Sequence, residues 1–316
     1  MEEPHDIEQL MELKRRRRAR RRPWVRLKKH IIYFSAINMV RLLDSLSRPA
    51  TLSLGRFLGW LFSVIPNPHF RRAVRHLGYA FPDRSEKELI RLARKTFINL
   101  ARTVAETTML RHTHGRYSHL VRHDSSVEIL EKTLAKGRGC VVIATHVGCW
   151  ELLVGYLSNT WGIHVVKRFF KFDKFSQVAE EMRASNLIKV IDVTQWDKMK
   201  TAVDANEPIV ILPDLDMKKE NSLLVEFFGR PAPVVRGPAL LALRNRMPIV
   251  CAFPIWNGRH HVLTCSGPIE VPAGGTTEEN QLEVSSAFMQ HIEQMITKHP
   301  EQWVWFHTRW KTKYEV

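Results

Sequence analysis

From residue 126 to the C-terminus, short apolar runs alternate with longer segments in which apolar residues recur at helical spacing. The apolar runs predict buried strands at residues 140–145, 163–167, 189–193, 208–212, 225–228, 249–255 and 261–265. The amphipathic segments predict helices at residues 127–136, 151–160, 175–184, 197–206, 237–246 and 282–298. This order predicts an α/β fold with a mostly parallel central sheet and helices on both of its faces.

Two apolar segments near the N-terminus, residues 31–43 and 50–65, are each interrupted by one arginine. Neither reaches the roughly 20 charge-free residues that a membrane-spanning helix needs. In the second segment the apolar side chains that share one helical face are Phe57, Trp60, Leu61, Val64 and Ile65. We therefore expect an interfacial pair of helices. A single span and an ordinary buried helix pair also fit this pattern.

Helices are also predicted between these segments and the α/β region. Residues 69–81 are basic and amphipathic, and the capping box of Ser85 and Glu88 opens a helix that runs to about residue 108. Residues 111–125 predict a connection. The chain thus divides into a basic, disordered tail at residues 1–30, a helical membrane-associating region at 31–120 and an α/β domain at 121–316.

Charge narrows the choice of partners. The chain carries 48 lysines and arginines against 32 acidic residues, which gives a net charge of +16 and favours a polyanionic partner. Nucleic acid, an anionic membrane surface and an acidic protein all qualify. Residues 14–22 are nearly all basic and suit anionic lipid headgroups. Trp24, Tyr33 and Trp60 are candidate interface anchors, and no cleavable signal peptide is visible.

Metal and cofactor motifs are not recognisable in this sequence. The four cysteines form no C-x-x-C pair, and three of them lie in apolar runs, which is typical of small buried side chains in a reducing compartment. The irregularly spaced histidines of the connection are expected at the surface: His112, His114, His119 and His123. We predict neither a bound metal nor a cofactor.

The strongest candidate for chemistry is the stretch G-C-V-V-I-A-T-H-V-G-C-W-E at residues 139–151. His146 follows a predicted strand, and Glu151 follows a glycine-containing loop, so the pair could supply a general base and its orienting acid. On one continuous helix the two side chains would lie about 500° apart, so they can meet only if His146 precedes the helix. Cys149 is a less favoured alternative, as a nucleophile.

Two further residues end predicted strands and are expected at the same edge of the sheet. Arg168 could stabilise an oxyanion or bind a phosphate. Asp214 could orient His146 in place of Glu151. The sequence leaves both carboxylates open as partners, and an ordinary surface ion pair is an equal alternative for Arg168 and for Asp214.

Two later blocks are basic. Residues 227–243, F-F-G-R-P-A-P-V-V-R-G-P-A-L-L-A-L, predict a basic turn that leads into an apolar helix, with Arg230 and Arg236 beside prolines. Residues 300–313, P-E-Q-W-V-W-F-H-T-R-W-K-T-K, are dense in aromatic and basic side chains. Alone, this second block would suit either a single-stranded nucleic-acid platform or a membrane-interface edge.

Together these blocks resemble the late acyltransferases of bacterial lipid A biosynthesis, within the wider lysophospholipid acyltransferase group. T-H-V-G-C-W-E is similar to the group's H-x-x-x-x-D/E motif, I-L-P-D-L-D with the proline-rich block resembles the central region, and P-E-Q-W-V-W-F-H-T-R-W-K resembles the C-terminal signature. The resemblance covers roughly residues 30–312. One motif alone would be weak, but three in the same order are specific.

The resemblance implies a glycerolipid acyltransferase-like fold and direct transfer of a fatty acyl group from an acyl carrier protein thioester to a hydroxyl of a lipid A precursor. His146 would be the base, Glu151 or Asp214 would hold it, and Arg168 would stabilise charge. We assign Arg168, Gly148, Arg230 and Arg236 to substrate binding. The implied location is the cytoplasmic face of the inner membrane.

Two alternatives stay open. The acceptor could be another glycolipid such as a phosphatidylinositol mannoside, a lysophospholipid or an amino-acid lipid. A basic nucleic-acid-binding protein is the less favoured reading, and our partner prediction does not include nucleic acid.

Overall fold

The computed structural model describes residues 34–35, 38–43, 45–167, 183–184, 186–217 and 219–311. Its helices are α1 (Arg48–Val64), α2 (Pro68–Ala80), α3 (Glu86–Met109), α4 (Val127–Leu134), α5 (Trp150–Trp161), α6 (Trp196–Asp204), α7 (Gly237–Asn245) and α8 (Glu278–Lys298). Its strands are β1 (Val121–His123), β2 (Val141–Ile143), β3 (His164–Lys167), β4 (Val190–Asp192), β5 (Ile209–Ile211), β6 (Ser222–Phe227), β7 (Arg230–Val235), β8 (Ile249–Trp256) and β9 (His261–Ile269). The predicted tail, Trp24, Tyr33 and most of the helix predicted at 175–184 lie outside these residues.

Seven strands form one sheet in the order β1-β9-β8-β2-β5-β3-β4. The pairs from β8 through β2, β5 and β3 to β4 are all parallel, β9 is antiparallel to β8, and β1 is parallel to β9. The prediction of a mostly parallel sheet is confirmed. The carboxyl ends of β2, β5, β3 and β4 therefore meet at one edge, where α/β proteins usually bind ligands.

Helices cover both faces of this sheet, as the sequence predicted. Val141 and Ile143 of β2 point into a core that includes apolar side chains of α6, α7 and α8. Val142, between them, points into a second core with side chains of α4 and α5. All three valine and isoleucine side chains are fully buried, and each such burial contributes about 1.5–3 kcal/mol.

Two strands were not predicted. Residues 230–235 were expected to be a basic turn but form β7, which pairs antiparallel with β6 in a separate two-stranded sheet. The sequence did not predict this strand because Pro231 and Pro233 are unusual in strands. Proline is tolerated in sheets on strands with an open edge, and both strands of a two-stranded sheet have such an edge. The predicted connection at 111–125 contains the short edge strand β1.

Helix α1 packs on α3 through two glycines. A Cβ atom at Gly59 would lie 2.4 Å from the Phe97 carbonyl oxygen, and one at Gly55 would lie 2.8 Å from the Ala105 Cβ. The helix backbones therefore approach more closely than any larger side chain would allow. Within the described part of the chain, no helix is both long enough and apolar enough to cross a bilayer.

The start of α3 agrees with its predicted capping box. The Glu88 carboxylate accepts hydrogen bonds from the Ser85 backbone N–H at 2.9 Å and from its hydroxyl at 2.6 Å. Both Ser85 donors thus have a partner at the helix start, and the helix begins at Glu86.

A buried ionic network fastens α3 to the sheet. Glu106 of α3 accepts hydrogen bonds from Arg102 at 2.8 Å and from His261 Nε2 of β9 at 2.8 Å, and it also pairs with Arg48 of α1. Arg102, Glu106 and His261 are almost completely buried. Burial alone would raise the pKa of Glu106, but His261, Arg102 and Arg48 outweigh it and lower this pKa to about 2.

We predict that Glu106→Gln destabilises the protein by roughly 3–5 kcal/mol, because it leaves the buried Arg102 guanidinium without an anionic partner. The matched control is Glu128→Gln in the exposed i,i+4 pair with Lys132, for which we expect a loss of less than about 1 kcal/mol. Urea unfolding measures both values. Equal losses in the two variants would contradict the importance of this network.

The same network determines how the stability of the protein changes as the pH falls. Glu106 has a lower pKa when folded than its ordinary value of 4.5, so its stabilising contribution is complete above pH 4.5 and is lost as the pH falls toward 2. The stability difference between wild type and Glu106→Gln should therefore shrink over that interval.

Candidate active site

The register of two parallel strands brings His146 and Asp214 together. Val141 pairs with Ile209 and Ile143 pairs with Ile211, which is an offset of 68 residues. His146 lies three residues after the end of β2, and Asp214 lies three residues after the end of β5. The same offset of 68 residues therefore places His146 opposite Asp214. The His146 backbone N–H donates to Asp214 Oδ2 at 2.8 Å, and His146 Nδ1 lies 2.8 Å from Asp214 Oδ1.

Asp214 is completely buried and is held by a third donor. Trp303 Nε1 donates to Asp214 Oδ2 at 2.9 Å. Burial would raise the pKa of Asp214, but the positive charge of His146 and the three hydrogen bonds hold that pKa below its usual range. An ionised Asp214 requires His146 Nδ1 to carry a proton, so in the neutral ring the lone pair is on Nε2. The His146 side chain is 20% exposed and can receive a substrate proton there.

Glu151 does not contact His146. It accepts hydrogen bonds from Arg183, whose Nε lies 3.1 Å from Glu151 Oε2 and whose other contact is to Oε1. Glu151 lies within the first turn of α5, whereas His146 precedes this helix, as the sequence argument required. Of the two carboxylates that the sequence left open, the structure therefore gives Asp214 as the partner of His146.

Basic side chains gather around Glu151. Lys167, at the carboxyl end of β3, has its pKa lowered to about 8, first by burial and then by the charge of Arg183, against the opposing charges of Glu151 and Asp192. The sequence did not single out Lys167 or Arg183, because only the fold brings them to the motif. The predicted Arg168 lies outside the described residues.

Gly148 has a backbone role in the loop between His146 and α5. Its φ is +59°, and a Cβ atom there would lie only 2.0 Å from the carbonyl oxygen of Pro254 in β8. Its N–H donates to the Gln302 carbonyl oxygen at 3.0 Å. Close approach of two backbones explains this glycine, and its predicted role in substrate binding stays a prediction.

Cys149 cannot serve as an exposed nucleophile. Its thiol is completely buried, and burial, followed by the charge of Glu106, raises its pKa to about 12. The thiolate form that would attack a thioester is therefore scarce near neutral pH.

Cys149 also lies beside Glu106 and His261, and in the described part of the chain these three buried side chains are close enough together to be considered as metal ligands. Ligand atoms of Glu106, Cys149 and His261 lie within 4.8 Å of one another. Both oxygens of Glu106 are already occupied by Arg48, Arg102 and His261, and the two guanidinium groups oppose a further cation. These residues do not suit a metal ion.

The aromatic C-terminal block is part of the core. Trp303 and Trp305 are 1% and 0% exposed, so neither offers a face to a nucleotide base or to lipid headgroups. This burial overturns the expectation of an aromatic platform or membrane edge at these two residues. The block instead packs against the candidate site, because the Gln302 carbonyl oxygen accepts a hydrogen bond from the Gly148 N–H and Trp303 donates to Asp214.

His307 in this block is a half-buried histidine that the sequence did not single out. Burial lowers its pKa, and the next largest effect is the charge of His146, followed by the charges of Asp216 and Asp214. A histidine four residues after a buried tryptophan carries no signal of its own until the loop is folded.

Arg230 and Arg236 make their contacts elsewhere. The Arg230 guanidinium is 3.9 Å from the centre of the Tyr79 ring. Arg236 contacts the Ser222 carbonyl oxygen, Gln281 and Glu278, at 3.2–3.4 Å. The contacts of these arginines within the described residues do not reach His146 or Asp214, and their predicted role in substrate binding stays a prediction.

Comparison with known proteins identifies the family of this chain. The family model of bacterial lipid A biosynthesis acyltransferases matches residues 19–312. The chain is 22% identical over 295 residues to the lipid A biosynthesis acyltransferase of Haemophilus influenzae, covering 90% of this chain and 92% of the relative. It is 24% identical over 284 residues to the lipid A biosynthesis lauroyltransferase of Escherichia coli, covering 88% and 91%. It is 22% identical over 264 residues to a phosphatidylinositol mannoside acyltransferase of Mycobacterium tuberculosis, covering 82% and 75%.

These relatives share a type of activity, which is the transfer of acyl groups. Because the family model spans nearly the whole sequence, the chain belongs to the bacterial lipid A biosynthesis acyltransferases and is an acyltransferase.

Proposed function

We propose that this enzyme transfers a fatty acyl group from acyl carrier protein to a hydroxyl group of a lipid A precursor, with His146 as the general base. One observation carries the mechanism. The His146 ring is held by a buried carboxylate through Nδ1, at 2.8 Å, and presents Nε2 at the carboxyl edge of a parallel sheet. An imidazole fixed in this tautomer is suited to accept a proton from a hydroxyl group.

The proposed reaction needs no acyl-enzyme. Nε2 of His146 takes the hydroxyl proton as the acceptor oxygen attacks the thioester carbonyl carbon. The carbonyl electrons move to oxygen and form a tetrahedral oxyanion. When this intermediate collapses, the carbon–sulfur bond breaks, and the thiolate takes the proton from His146. Asp214 stabilises the transient imidazolium and keeps its orientation, while the buried thiol of Cys149 takes no part.

Donor and acceptor are inferred from chemistry and from relatives. The net charge of +16 favours an acidic carrier protein as the donor. The relatives from Haemophilus influenzae and Escherichia coli bear the name of lipid A acyltransferases, which favours a lipid A precursor as the acceptor. A mannosylated phosphatidylinositol is the second candidate, because the Mycobacterium tuberculosis relative is named for it.

We further propose that the enzyme works at the cytoplasmic face of the inner membrane, on an anionic lipid surface. Support comes from α1, whose predicted apolar face is exposed: Phe57 55%, Trp60 45%, Leu61 39%, Val64 43% and, just beyond the helix, Ile65 52%. Its opposite face is fixed on α3 through Gly55 and Gly59. A helix held by protein on one side and apolar on the other suits a bilayer interface.

The general base gives the first functional prediction. We expect His146→Ala to lower kcat for acyl transfer by about 10²–10⁴-fold, because the hydroxyl proton loses its acceptor. The measurement is transfer from lauroyl-acyl carrier protein to a purified lipid A precursor. His119→Ala, at an exposed histidine, is the control and should keep wild-type activity. Near-full transfer by the His146 variant would refute the mechanism.

The acceptor is tested separately. Mass spectrometry of total lipids from cells with and without the protein should show one acyl chain added to a lipid A precursor. The same mass increase on a mannosylated phosphatidylinositol would favour the second candidate.

The non-covalent route gives a second prediction. We expect Cys149→Ser to retain kcat within about threefold of wild type, because the thiol is buried and lies outside the proposed proton path. A loss as large as that of His146→Ala, in a protein of normal stability, would favour an acyl-cysteine instead.

The membrane surface gives a third prediction. We expect the double substitution Phe57→Ser and Trp60→Ser to weaken binding to phosphatidylethanolamine–phosphatidylglycerol vesicles by at least about tenfold, because exposed aromatic surface no longer enters the interface. Trp196→Ser is the control, since Trp196 is 69% exposed on α6. Unchanged sedimentation of the double variant would contradict this docking surface.

A further inference from the structure

Strand β8 extends beyond the end of its neighbour β2. The register pairs β2 with β8 from Ile249 to Cys251, whereas β8 continues to Trp256. On its other side β8 pairs with β9 as far as Trp256, which faces His261. The last part of β8 therefore presents backbone hydrogen-bonding groups on the side where β2 has ended and the loop with His146 begins. Such groups need partners when they are buried.

The side chain of Gln302 supplies these partners at Trp256. Gln302 Oε1 accepts a hydrogen bond from the Trp256 backbone N–H at 2.9 Å, and Gln302 Nε2 donates to the Trp256 carbonyl oxygen at 3.0 Å. The carboxamide thus exchanges two hydrogen bonds with one residue, as a residue of a neighbouring antiparallel strand does. Gln302 is buried, so its carboxamide in turn needs these bonds.

Trp256 is itself held in place by the buried ionic network. The Arg102 guanidinium lies 4.3 Å from the centre of the Trp256 ring, and the centre of the His261 ring lies 4.9 Å from it. Arg102 and His261 both donate to Glu106 at 2.8 Å. Gln302 is therefore attached to a part of the sheet that several buried contacts fix.

The backbone of Gln302 holds the loop that carries the proposed base. Its carbonyl oxygen accepts a hydrogen bond from the N–H of Gly148, two residues after His146, at 3.0 Å. The loop lies close against β8 at this point, because a Cβ atom at Gly148 would be 2.0 Å from the Pro254 carbonyl oxygen and 3.5 Å from Gln302 Oε1. Small movements of Gln302 would therefore be passed on to the loop.

The next residue, Trp303, holds the partner of the base. Its Nε1 donates to Asp214 Oδ2 at 2.9 Å, and Asp214 Oδ1 lies 2.8 Å from His146 Nδ1. Consecutive residues of one backbone segment thus hold the loop of His146 and the carboxylate that orients its ring. The side chain of Gln302 attaches this segment to the end of β8.

We propose that Gln302 is a positioning residue for the general base His146. Its carboxamide, bonded to Trp256, sets the place of its own backbone segment. That segment holds the Gly148 loop and Asp214, so both supports of the base depend on one side chain. This inference rests on the proposed role of His146 and identifies what keeps that base in place. Gln302 acts through His146 and takes no part in the bond changes themselves.

Gln302→Met tests the carboxamide, because it removes both bonds to Trp256 and keeps an unbranched side chain of similar length. We expect kcat for transfer from lauroyl-acyl carrier protein to a lipid A precursor to fall by about 10–100-fold, since a base displaced by about 1 Å accepts a proton poorly. KM should change by less than about threefold. If this variant does not fold, Gln302→Glu, which keeps the acceptor and loses the donor, replaces it with the same expected result.

The matched control is Gln281→Met on α8. Gln281 is 6% exposed and Gln302 is 7% exposed, so the two glutamines are equally buried. The Gln281 carboxamide donates to the Thr276 carbonyl oxygen at 2.8 Å and accepts from Arg236 at 3.4 Å. Neither contact involves the loop of the base, and this variant should keep wild-type kcat.

A double-mutant cycle separates positioning of the base from a general disturbance of the fold. Adding Gln302→Met to His146→Ala should lower kcat by less than about threefold further, because the base that Gln302 positions is already absent. A side chain with only a structural role would cause the same loss in both backgrounds. Thermal unfolding of every variant verifies the fold.

Hydrogen exchange followed by mass spectrometry tests the inference without a substrate. In Gln302→Met, amide exchange in peptides that contain residues 146–149 should be at least about tenfold faster than in wild type, because the Gly148 N–H loses a fixed acceptor. Gln281→Met should leave the exchange of these peptides unchanged.

These readouts distinguish failure of the inference from failure of the proposed function. Wild type that hydrolyses lauroyl-acyl carrier protein but acylates no lipid tested would refute the proposed acceptor, while hydrolysis and amide exchange would still test Gln302. The inference is overturned if folded Gln302→Met keeps kcat within about threefold, if only KM rises, if its full loss persists beside His146→Ala, or if the exchange at residues 146–149 is unchanged.

Discussion

The geometry of the candidate active site depends on one buried carboxylate. Asp214 has no solvent exposure, and an ionised group in such a place is tolerated only when donors surround it. Two of its donors, the backbone N–H and the ring of His146, lie 68 residues away in sequence. The third donor, the Trp303 indole, lies 89 residues away. The loop after β2, the loop after β5 and the C-terminal segment therefore converge on this one side chain.

The sequence could propose Asp214 as a partner for His146, but it could not choose between Asp214 and Glu151. The five-residue spacing to Glu151 is local, and it made this pair look the more natural one. The pairing with Asp214 comes from the register of β2 on β5, in which Val141 faces Ile209. Register is fixed by packing over the whole sheet, so a motif alone does not contain it.

Helices and strands with a regular pattern of apolar residues were predictable from the sequence. Elements whose residues favour more than one kind of structure were not. The buried strand β2 and the helix α8 follow directly from their apolar patterns. Strand β7 was missed because Pro231 and Pro233 look like turn residues until β6 is known to be its neighbour. Trp303 and Trp305 looked like a surface platform, because a cluster of aromatic and basic letters does not reveal which side chains are buried.

The N-terminal helices also support the candidate active site from outside the sheet. Helix α2 holds the C-terminal loop, since Arg72 donates to the Phe306 carbonyl at 3.1 Å and His76 Nδ1 lies 3.0 Å from the Trp305 carbonyl. Helix α3 is fixed to β9 by the bond between Glu106 and His261. These hydrogen bonds fix α2 with respect to the loop that carries Trp303, and α3 with respect to the sheet. Helix α3, on which α1 packs through Gly55 and Gly59, also donates from Asn99 to the Glu301 carbonyl oxygen at 3.2 Å, so α1 and the segment that holds Asp214 are both supported by the same helix.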